Sequence, residues 1–235
     1  MQVTGSNMSP TPNSSRISIQ VSLSGYSFKV QQESSVRDSG WLGAERLFTT
    51  PEFQRRYDSV DLSLLTPKCA LVPANFFNPE TERQALSEVV RLREGDAVEH
   101  IAVPSLGAVL VFSNSIDESL SKVIAQTVLT TDGDSPRVLP ELYFLLRDLP
   151  LCQEYNKIIA SYKDGWLHLA IAQGKSLLLA NVYEAVDFTT AEYFIFLAMK
   201  KLQLNPDVST ITFRTPLLPE QEMSLYRYFK SVETI

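Results

Sequence analysis

Three short apolar segments, separated by two turns, constrain the fold of this chain more than any other feature. The segments are Ile158–Tyr162, Trp166–Ala172 and Leu177–Tyr183. Asp164-Gly165 separates the first two segments, and Gln173-Gly174-Lys175 separates the second two. Segments of this length joined by such turns predict an antiparallel meander of three strands.

A helix is predicted directly after this meander. Thr189 and Glu192 have the spacing of a capping box, in which each side chain satisfies an unpaired backbone N–H group. The residues that follow, up to Leu202, are apolar on almost every side, which is typical of a buried helix. Asn205-Pro206 ends the helix, and Thr210–Arg214 returns as a strand. We therefore expect the helix to cover one face of the meander and to be covered in turn by another element.

The first half of the chain shows a similar order of elements. Apolar residues alternate with polar ones on both sides of Ser24-Gly25, which predicts a hairpin. A third strand is expected within Trp41–Thr49, a short helix from Thr50, and a further strand at Cys69–Val72. The remaining predicted elements are a helix from Asn78, a hairpin over 98–112, a helix that begins at a capping box of Ser115 and Glu118, and a helix over 140–149.

These two series of elements indicate an internal duplication. In each half a hairpin with a glycine turn precedes a third strand, a helix and a strand that ends at a proline. Gly25 and Pro73 are separated by 48 positions, and Gly165 and Pro216 by 51, as in a repeated supersecondary unit. The alternative is a chance match, because turns and helix starts use the same few residue types in most proteins.

Composition restricts the class of protein. The chain has 235 residues and a formal net charge of −6, so no broad nucleic-acid-binding surface is expected. No apolar stretch is long enough to span a bilayer. Cys69 and Cys152 are far apart and are predicted to be free thiols in a reducing compartment. The segment Met1–Ser15 is polar and lacks the features of a signal peptide, so we expect a disordered leader and a cytoplasmic protein.

The duplicated element order, together with the stretches Ile17–Val30, Thr66–Phe77 and Tyr155–Thr215, resembles a family of uncharacterised Bacteroidetes proteins in the actin-like ATPase superfamily. The resemblance implies an α/β fold of two ribonuclease-H-like subdomains with a cleft between them. The implied division is a leader over 1–15, a first subdomain over 16–150 and a second, shorter subdomain over 151–235.

The resemblance also implies where a nucleotide site would lie. Actin-like ATPases hold phosphate and metal through an Asp-x-Gly turn in each hairpin, and a later Gly-Gly pair contacts adenosine. Ser24-Gly25 and Asp164-Gly165 correspond to the two turns, and are predicted to be vestigial phosphate turns. Ser22 stands where the first turn should carry a carboxylate, and Thr215-Pro216 stands in place of the glycine pair. The positive φ that an ordinary hairpin turn requires fully explains Asp164-Gly165, so a plain turn is favoured over a phosphate loop at this position.

These departures from the family pattern predict a pseudo-ATPase that keeps the fold as a non-catalytic interaction or scaffold module, with another protein as its partner. No catalytic residue, metal ligand or cofactor is predicted. The alternative is a weak ATPase or sugar-kinase-like phosphotransferase that binds ATP and Mg²⁺ in the inter-subdomain cleft. His168 alternates with apolar residues in a predicted strand, so we expect a satisfied or solvent-facing histidine rather than a general base. The oligomeric state is left open.

Overall fold

The computed structural model describes residues 15–32, 35–115 and 119–235. The predicted leader therefore lies outside the described residues except for Ser15, and so does Glu118 of the predicted capping box. The first half contains β1 (Ser15–Ser22), β2 (Gly25–Gln32), β3 (Ser35–Asp38), β4 (Leu42–Gly43), β5 (Ser59–Leu64), β6 (Cys69–Pro73), α1 (Glu82–Ser87), β7 (Glu99–Val103), β8 (Ala108–Phe112), α2 (Ser119–Thr127), β9 (Val138–Pro140) and α3 (Glu141–Asp148).

The second half contains β10 (Asn156–Lys163), β11 (Trp166–Gln173), β12 (Ser176–Glu184), α4 (Phe188–Lys201), β13 (Thr210–Phe213), α5 (Pro219–Leu225) and β14 (Ser231–Thr234). Short 3-10 helices occur at Ala44–Thr49, Pro51–Gln54, Ala74–Phe76, Pro79–Thr81, Pro104–Leu106, Leu149–Leu151 and Pro206–Val208.

The two large sheets share one topology. The first has the strand order β3-β2-β1-β5-β9, with β4 paired to β2, and the second has the order β12-β11-β10-β13-β14. In each sheet three strands form an antiparallel meander, and two further strands run parallel to its first strand. The prediction of a duplicated α/β fold with two separate sheets is thus confirmed, whereas the subdomain boundaries at 16–150 and 151–235 stay a prediction.

Two strand predictions in the first half are wrong. The third strand of the meander is Ser35–Asp38, and the stretch Trp41–Thr49 holds only the short β4 and a 3-10 helix. The strand parallel to β1 is Ser59–Leu64, whereas Cys69–Pro73 belongs to a separate three-stranded sheet with the order β6-β8-β7. A short apolar run before a proline does not say which sheet it joins, since that choice depends on tertiary contacts.

The repeat therefore pairs different residues from those predicted. The backbone N–H of Leu65 donates to the carbonyl of Val21 at 2.9 Å, and the N–H of Arg214 donates to the carbonyl of Ala160 at 2.9 Å. These equivalent bonds make Thr66-Pro67, rather than Pro73, the counterpart of Thr215-Pro216.

The same alignment shows that the second hairpin is longer than the first. Val21 lies level with Leu64, and one residue separates it from the two-residue loop Leu23-Ser24. Ala160 lies level with Phe213, and three residues separate it from the loop Asp164-Gly165. The second turn thus extends two residues further beyond its parallel neighbour than the first turn does.

One of the apolar clusters draws residues from both halves. Leu142, Leu145 and Leu146 of α3 pack in it with Ile159 and Ala170 of the second large sheet. Residues of the three-stranded sheet, among them Leu110, belong to the same cluster. Burial of this shared apolar surface joins the elements into one folded unit. Within the described ranges no helix has the length and apolar character needed to cross a membrane.

The helix after the meander differs from its prediction at its start and on its surface. Its N-cap is Asp187, whose side chain accepts from the backbone N–H of Thr190, so the expected capping box of Thr189 and Glu192 is wrong. Its inner face is buried, but Tyr193 is 60% exposed. The helix covers one face of the meander as predicted, whereas nothing in the described part of the chain covers the helix over Tyr193.

Candidate functional site

The Asp164-Gly165 turn has the backbone of a tight hairpin. Lys163 pairs with Trp166 across a two-residue loop, and both loop residues have positive φ, 50° for Asp164 and 81° for Gly165. Aspartate and glycine are the residue types that adopt such angles most readily. The residue types at positions 164 and 165 are therefore sufficient to explain the turn. The turn places the Asp164 carboxylate beyond the end of the sheet.

The Ser24-Gly25 turn is built differently, and close packing requires its glycine. Ser22 pairs with Gly25 across the loop. A Cβ atom at Gly25 would stand 2.0 Å from the carbonyl oxygen of Leu42 in β4. Only glycine fits this approach of two backbones. The role of Gly25 here is thus to admit β4 beside the turn.

The two turns bind each other directly. One carboxylate oxygen of Asp164 accepts hydrogen bonds from the Ser22 hydroxyl and from the Ser24 backbone N–H, both at 2.7 Å. The other oxygen accepts from the Ser24 hydroxyl at 2.8 Å. The structure therefore brings together all four residues predicted for the vestigial turns, and it adds Ser22.

In this contact the Asp164 carboxylate is the anion, and two hydroxyl groups and one backbone N–H of the opposite turn are its hydrogen-bond donors. Partial burial raises the pKa of Asp164, but the hydrogen bonds from Ser22 and Ser24 outweigh that effect and hold the pKa below its usual value. The carboxylate is therefore ionised at neutral pH. It occupies the N–H and hydroxyl donors that a bound phosphate would need, and it leaves a negative charge where a second anion would have to enter.

Thr215-Pro216 lies against the second hairpin, close to the same turn. The Thr215 side chain is fully buried and accepts a hydrogen bond from the backbone N–H of Tyr162 at 3.0 Å. Leu217 packs against the apolar cluster of the second half. The segment is thus held by its own contacts, and proline at this position offers no N–H to a ligand.

A buried ionic cluster lies between the sheets, beneath the two turns. Glu141, at the start of α3, is fully buried, and one of its oxygens accepts from Gln20 at 2.8 Å, Ser161 at 2.6 Å and Arg214 at 2.6 Å. Arg214 also binds Asp148 at 3.0 Å. Burial raises the pKa of Glu141, but the Arg214 charge and the hydroxyl donors outweigh it, and the net shift is downward. The cluster therefore holds an ionised pair that connects β1, β10 and α3.

His168 provides a further polar contact between the halves. Its ring is fully buried, and Nε2 lies 3.0 Å from the carbonyl of Thr66, so this nitrogen carries the proton and donates. Its Nδ1 is buried and has no hydrogen-bond partner in the part of the chain that the structure describes. Sequence analysis expected a satisfied or solvent-facing histidine, and the structure shows a half-satisfied buried one. Burial lowers its pKa, partly offset by Glu141.

An open cavity of about 750 Å³ also lies between the sheets. Arg16, Ser18 and Gln20 of β1 line it, as do residues 156–158 of β10 and the ends of β13 and β14, but Ser22, Ser24 and Asp164 do not. The cavity is therefore at the starts of β1 and β10, on the opposite side of the Glu141 cluster from the turns. Across the described residues, no three His, Cys, Asp or Glu side chains are arranged to hold a metal ion.

Sequence reasoning missed the Glu141 cluster and the partners of Asp164. Glu141 begins a largely apolar helix, and Arg214 directly follows the buried strand β13, so each is an isolated charge beside buried residues. Such a charge must find a partner when the segment folds. That signal could have identified both residues, but it could not have paired them, because they are 73 positions apart.

The comparisons with known proteins agree with this architecture. A family model described as "Protein of unknown function (DUF3822)" matches residues 6–232. A Bacteroides thetaiotaomicron protein "with actin-like ATPase fold and unknown function" is similar in structure, with a TM-score of 0.63, 16% identity, and coverage of 95% of this chain and 91% of that one. The PilM-PilN type IV pilus biogenesis complex contains a similar chain, with a TM-score of 0.50, 11% identity, and coverage of 95% and 89%. No curated protein matches.

Proposed function

The chain belongs to this family of unknown function and has the actin-like ATPase fold, and we propose that it is a non-catalytic interaction module that does not bind ATP. One observation carries the proposal: the Asp164 carboxylate is bound by Ser22 and Ser24 of the opposite turn. In the ATPases that the fold resembles, phosphate lies between these turns. Here an internal anion takes that place.

The electrostatics of the turns support this proposal. A triphosphate would have to displace Asp164 from its three donors and then remain beside its charge. Mg²⁺ normally compensates such charge, held by one or two carboxylates and the phosphates. Ser22 offers only a neutral hydroxyl in the first turn, and Asp164 is already engaged. The net charge of −6 adds no general attraction for an anion.

The segment after β13 supports the proposal from the adenosine end. Thr215 is buried and bonded to Tyr162, so a nucleoside would have to displace a packed segment rather than lie on exposed backbone. A variant enzyme could tolerate either the occupied turns or the packed Thr215-Pro216 segment, but the two together affect both the phosphate end and the adenosine end of a nucleotide site. The fold would then be retained for its surfaces.

The proposed partner is another protein, and the proposed location is the cytoplasm. The PilM chain, which has a similar fold, was solved in a complex with PilN, so a related architecture can bind a protein. Cys69 and Cys152 are free thiols, as expected in a reducing compartment.

The alternative, a weak ATPase or sugar-kinase-like phosphotransferase, is favoured by one feature. The cavity of about 750 Å³ between the sheets is large enough for a small ligand. It is lined by polar and charged side chains together with apolar ones such as Phe28, Leu151 and Ile158, and not by the two turns. An enzyme of this kind would therefore need a binding mode different from that of the ATPases that the fold resembles.

Calorimetry with millimolar Mg-ATP distinguishes the two functions. We expect no saturable heat with the wild-type protein, nor with Asp164→Gly, which removes the carboxylate and tolerates the positive φ. Asp132→Gly, in an exposed loop, is the matched control. Co-purification from the source cells should yield a protein that is retained without nucleotide. Saturable ATP binding with turnover in the wild type would overturn the proposal in favour of the enzyme; its loss in Asp164→Gly but not in Asp132→Gly would place that binding at the turns, and its retention in both would place it elsewhere.

A further inference from the structure

The outer surface of α4 is aromatic where a surface helix is normally polar. Tyr193 is 60% exposed, and Phe194, Phe196 and Leu197 are half-buried at the edge of the core. Of the five positions from Tyr193 to Leu197, all except the buried Ile195 thus present apolar groups toward solvent. A helix on the outside of a sheet usually presents charged residues there. Such a surface indicates an unpartnered interface.

Ring contacts extend this surface to both neighbouring elements. The Tyr183 ring of β12 stacks on Phe194, with centroids 4.8 Å apart, and Phe194 contacts Tyr193 at 5.5 Å. On the other side Phe196 meets Tyr228 at 4.9 Å. We call these five residues the α4 face. Tyr and Phe are enriched in the buried centres of protein interfaces, so the composition fits a protein partner.

The charges on α4 are arranged with opposite signs at its two ends. Glu192 precedes Phe196 by one turn, and Lys200 follows it by one turn, so all three lie along one stripe of the helix. Lys200 is exposed. One Glu192 carboxylate oxygen is shielded from solvent and has no hydrogen-bond partner among the described residues. Since a shielded oxygen cannot be reached from outside the chain, an ion pair with another chain would use the other carboxylate oxygen of Glu192, which is not shielded in this way.

This arrangement is self-complementary. If a second copy of the helix lay antiparallel to the first and crossed it at Phe196, Glu192 of each copy would face Lys200 of the other. The pairing forms twice about the two-fold axis, as in an isologous interface. The antiparallel order also opposes the two helix dipoles favourably. A second copy of the chain requires opposite charges at equal distances on both sides of Phe196, as Glu192 and Lys200 provide. A different partner protein does not require this symmetry.

We infer that the α4 face is a homodimer interface in which two copies of this chain pack their α4 helices antiparallel, with two reciprocal Glu192–Lys200 ion pairs. The inference does not depend on the proposed function, because self-association on this face is compatible with either presence or absence of ATP binding. Its failure would leave the calorimetric result with Mg-ATP unaffected.

Reciprocal charge reversal tests this inference. We expect the wild type to sediment at twice its monomer mass of 26.4 kDa at sufficient concentration. Glu192→Lys alone and Lys200→Glu alone should each weaken the dimer by at least about tenfold, because like charges then meet twice. A mixture of the two variants should recover the dimer, because each copy then supplies the charges that the other lacks.

Several results would overturn the inference. These are a monomeric wild type at all accessible concentrations, single variants that dimerise as well as the wild type, and a mixture that remains monomeric although both variants are folded by circular dichroism. Glu88→Lys and Lys175→Glu, at exposed positions outside the α4 face, are the matched controls and should leave the dimer unchanged. Tyr193→Lys provides a second disruption that mixing with Glu192→Lys does not rescue.

Discussion

At the scale of single residues, Glu141 and Arg214 form a charged pair that is costly to bury. Both side chains are buried, 0% exposed for Glu141 and 6% for Arg214. The Glu141 charge could not remain there without Arg214, because water is excluded and its other hydrogen-bond partners, Gln20 and Ser161, are neutral. Gln20 and Ser161 complete the cluster from opposite sheets. A buried pair of this kind is expected to add little net stability compared with well-packed apolar residues, whereas the removal of one member is costly.

Removing one member of this pair should be strongly destabilising. Arg214→Leu leaves the Glu141 charge buried and unpaired, so we expect a loss of about 3–5 kcal/mol in the free energy of unfolding. Arg214→Leu combined with Glu141→Gln should recover part of that loss, because the double variant no longer buries an unpaired carboxylate. Urea denaturation of the wild type, both single variants and the double variant measures the coupling. Strictly additive losses would contradict a coupled pair.

His168 should make the free energy of unfolding depend on pH below about pH 6.5, above the range in which most carboxylates titrate. Burial lowers its pKa in the folded state, whereas its unfolded pKa is about 6.5. Below pH ~6.5 the unfolded chain therefore binds more protons than the folded one, and the free energy of unfolding falls by up to about 1.4 kcal/mol per pH unit. Urea denaturation at several values between pH 7.5 and 5 should show this slope, and His168→Gln should flatten it. An unchanged slope in the variant would show that His168 does not cause it.

At the scale of elements, the sequence predicted the meander, both hairpin turns and the helix that follows, because their patterns are local. It missed β5 as the neighbour of β1 although Val60, Leu62 and Leu64 alternate clearly. The choice between this strand and Cys69–Pro73 depends on pairing across the sheet. It also predicted Ser24, Gly25, Asp164 and Gly165 as turn residues, but not their contact, because that contact depends on the relative lengths of two hairpins.

The start of α4 offers a direct comparison of the predicted cap with the observed one. Asp187 accepts from the N–H of Thr190 at 2.7 Å, whereas the Thr189 side chain lies at an exposed position within the helix. Asp187→Ala should therefore lower the midpoint of thermal unfolding, and Thr189→Ala should lower it by much less. Thermal unfolding of the two variants decides the matter. A larger effect at Thr189 would restore the capping box predicted from sequence.

At the scale of the whole molecule, several contacts join the halves, among them the Asp164 turn contact, the Glu141 cluster, the His168 bond and the apolar cluster around α3. An ATPase of this fold that opens and closes around nucleotide would need its halves to separate. Here polar bonds between the turns, together with the shared apolar surface around α3, hold the two halves against each other. The architecture is thus suited to holding one arrangement of its surfaces.

The two halves should consequently unfold together. The chain has two tryptophans, Trp41 in the first half and Trp166 in the second, so Trp41→Phe and Trp166→Phe each leave one fluorescent reporter. We expect the urea transitions seen by the two reporters to coincide with each other and with the loss of helical circular dichroism, as in a cooperative unit. Removing the turn contact with Asp164→Gly should shift both transitions equally, because the shared cluster around α3 remains. If the two single-tryptophan variants, without Asp164→Gly, showed different urea midpoints, the halves would be independent and the contacts between them would contribute little.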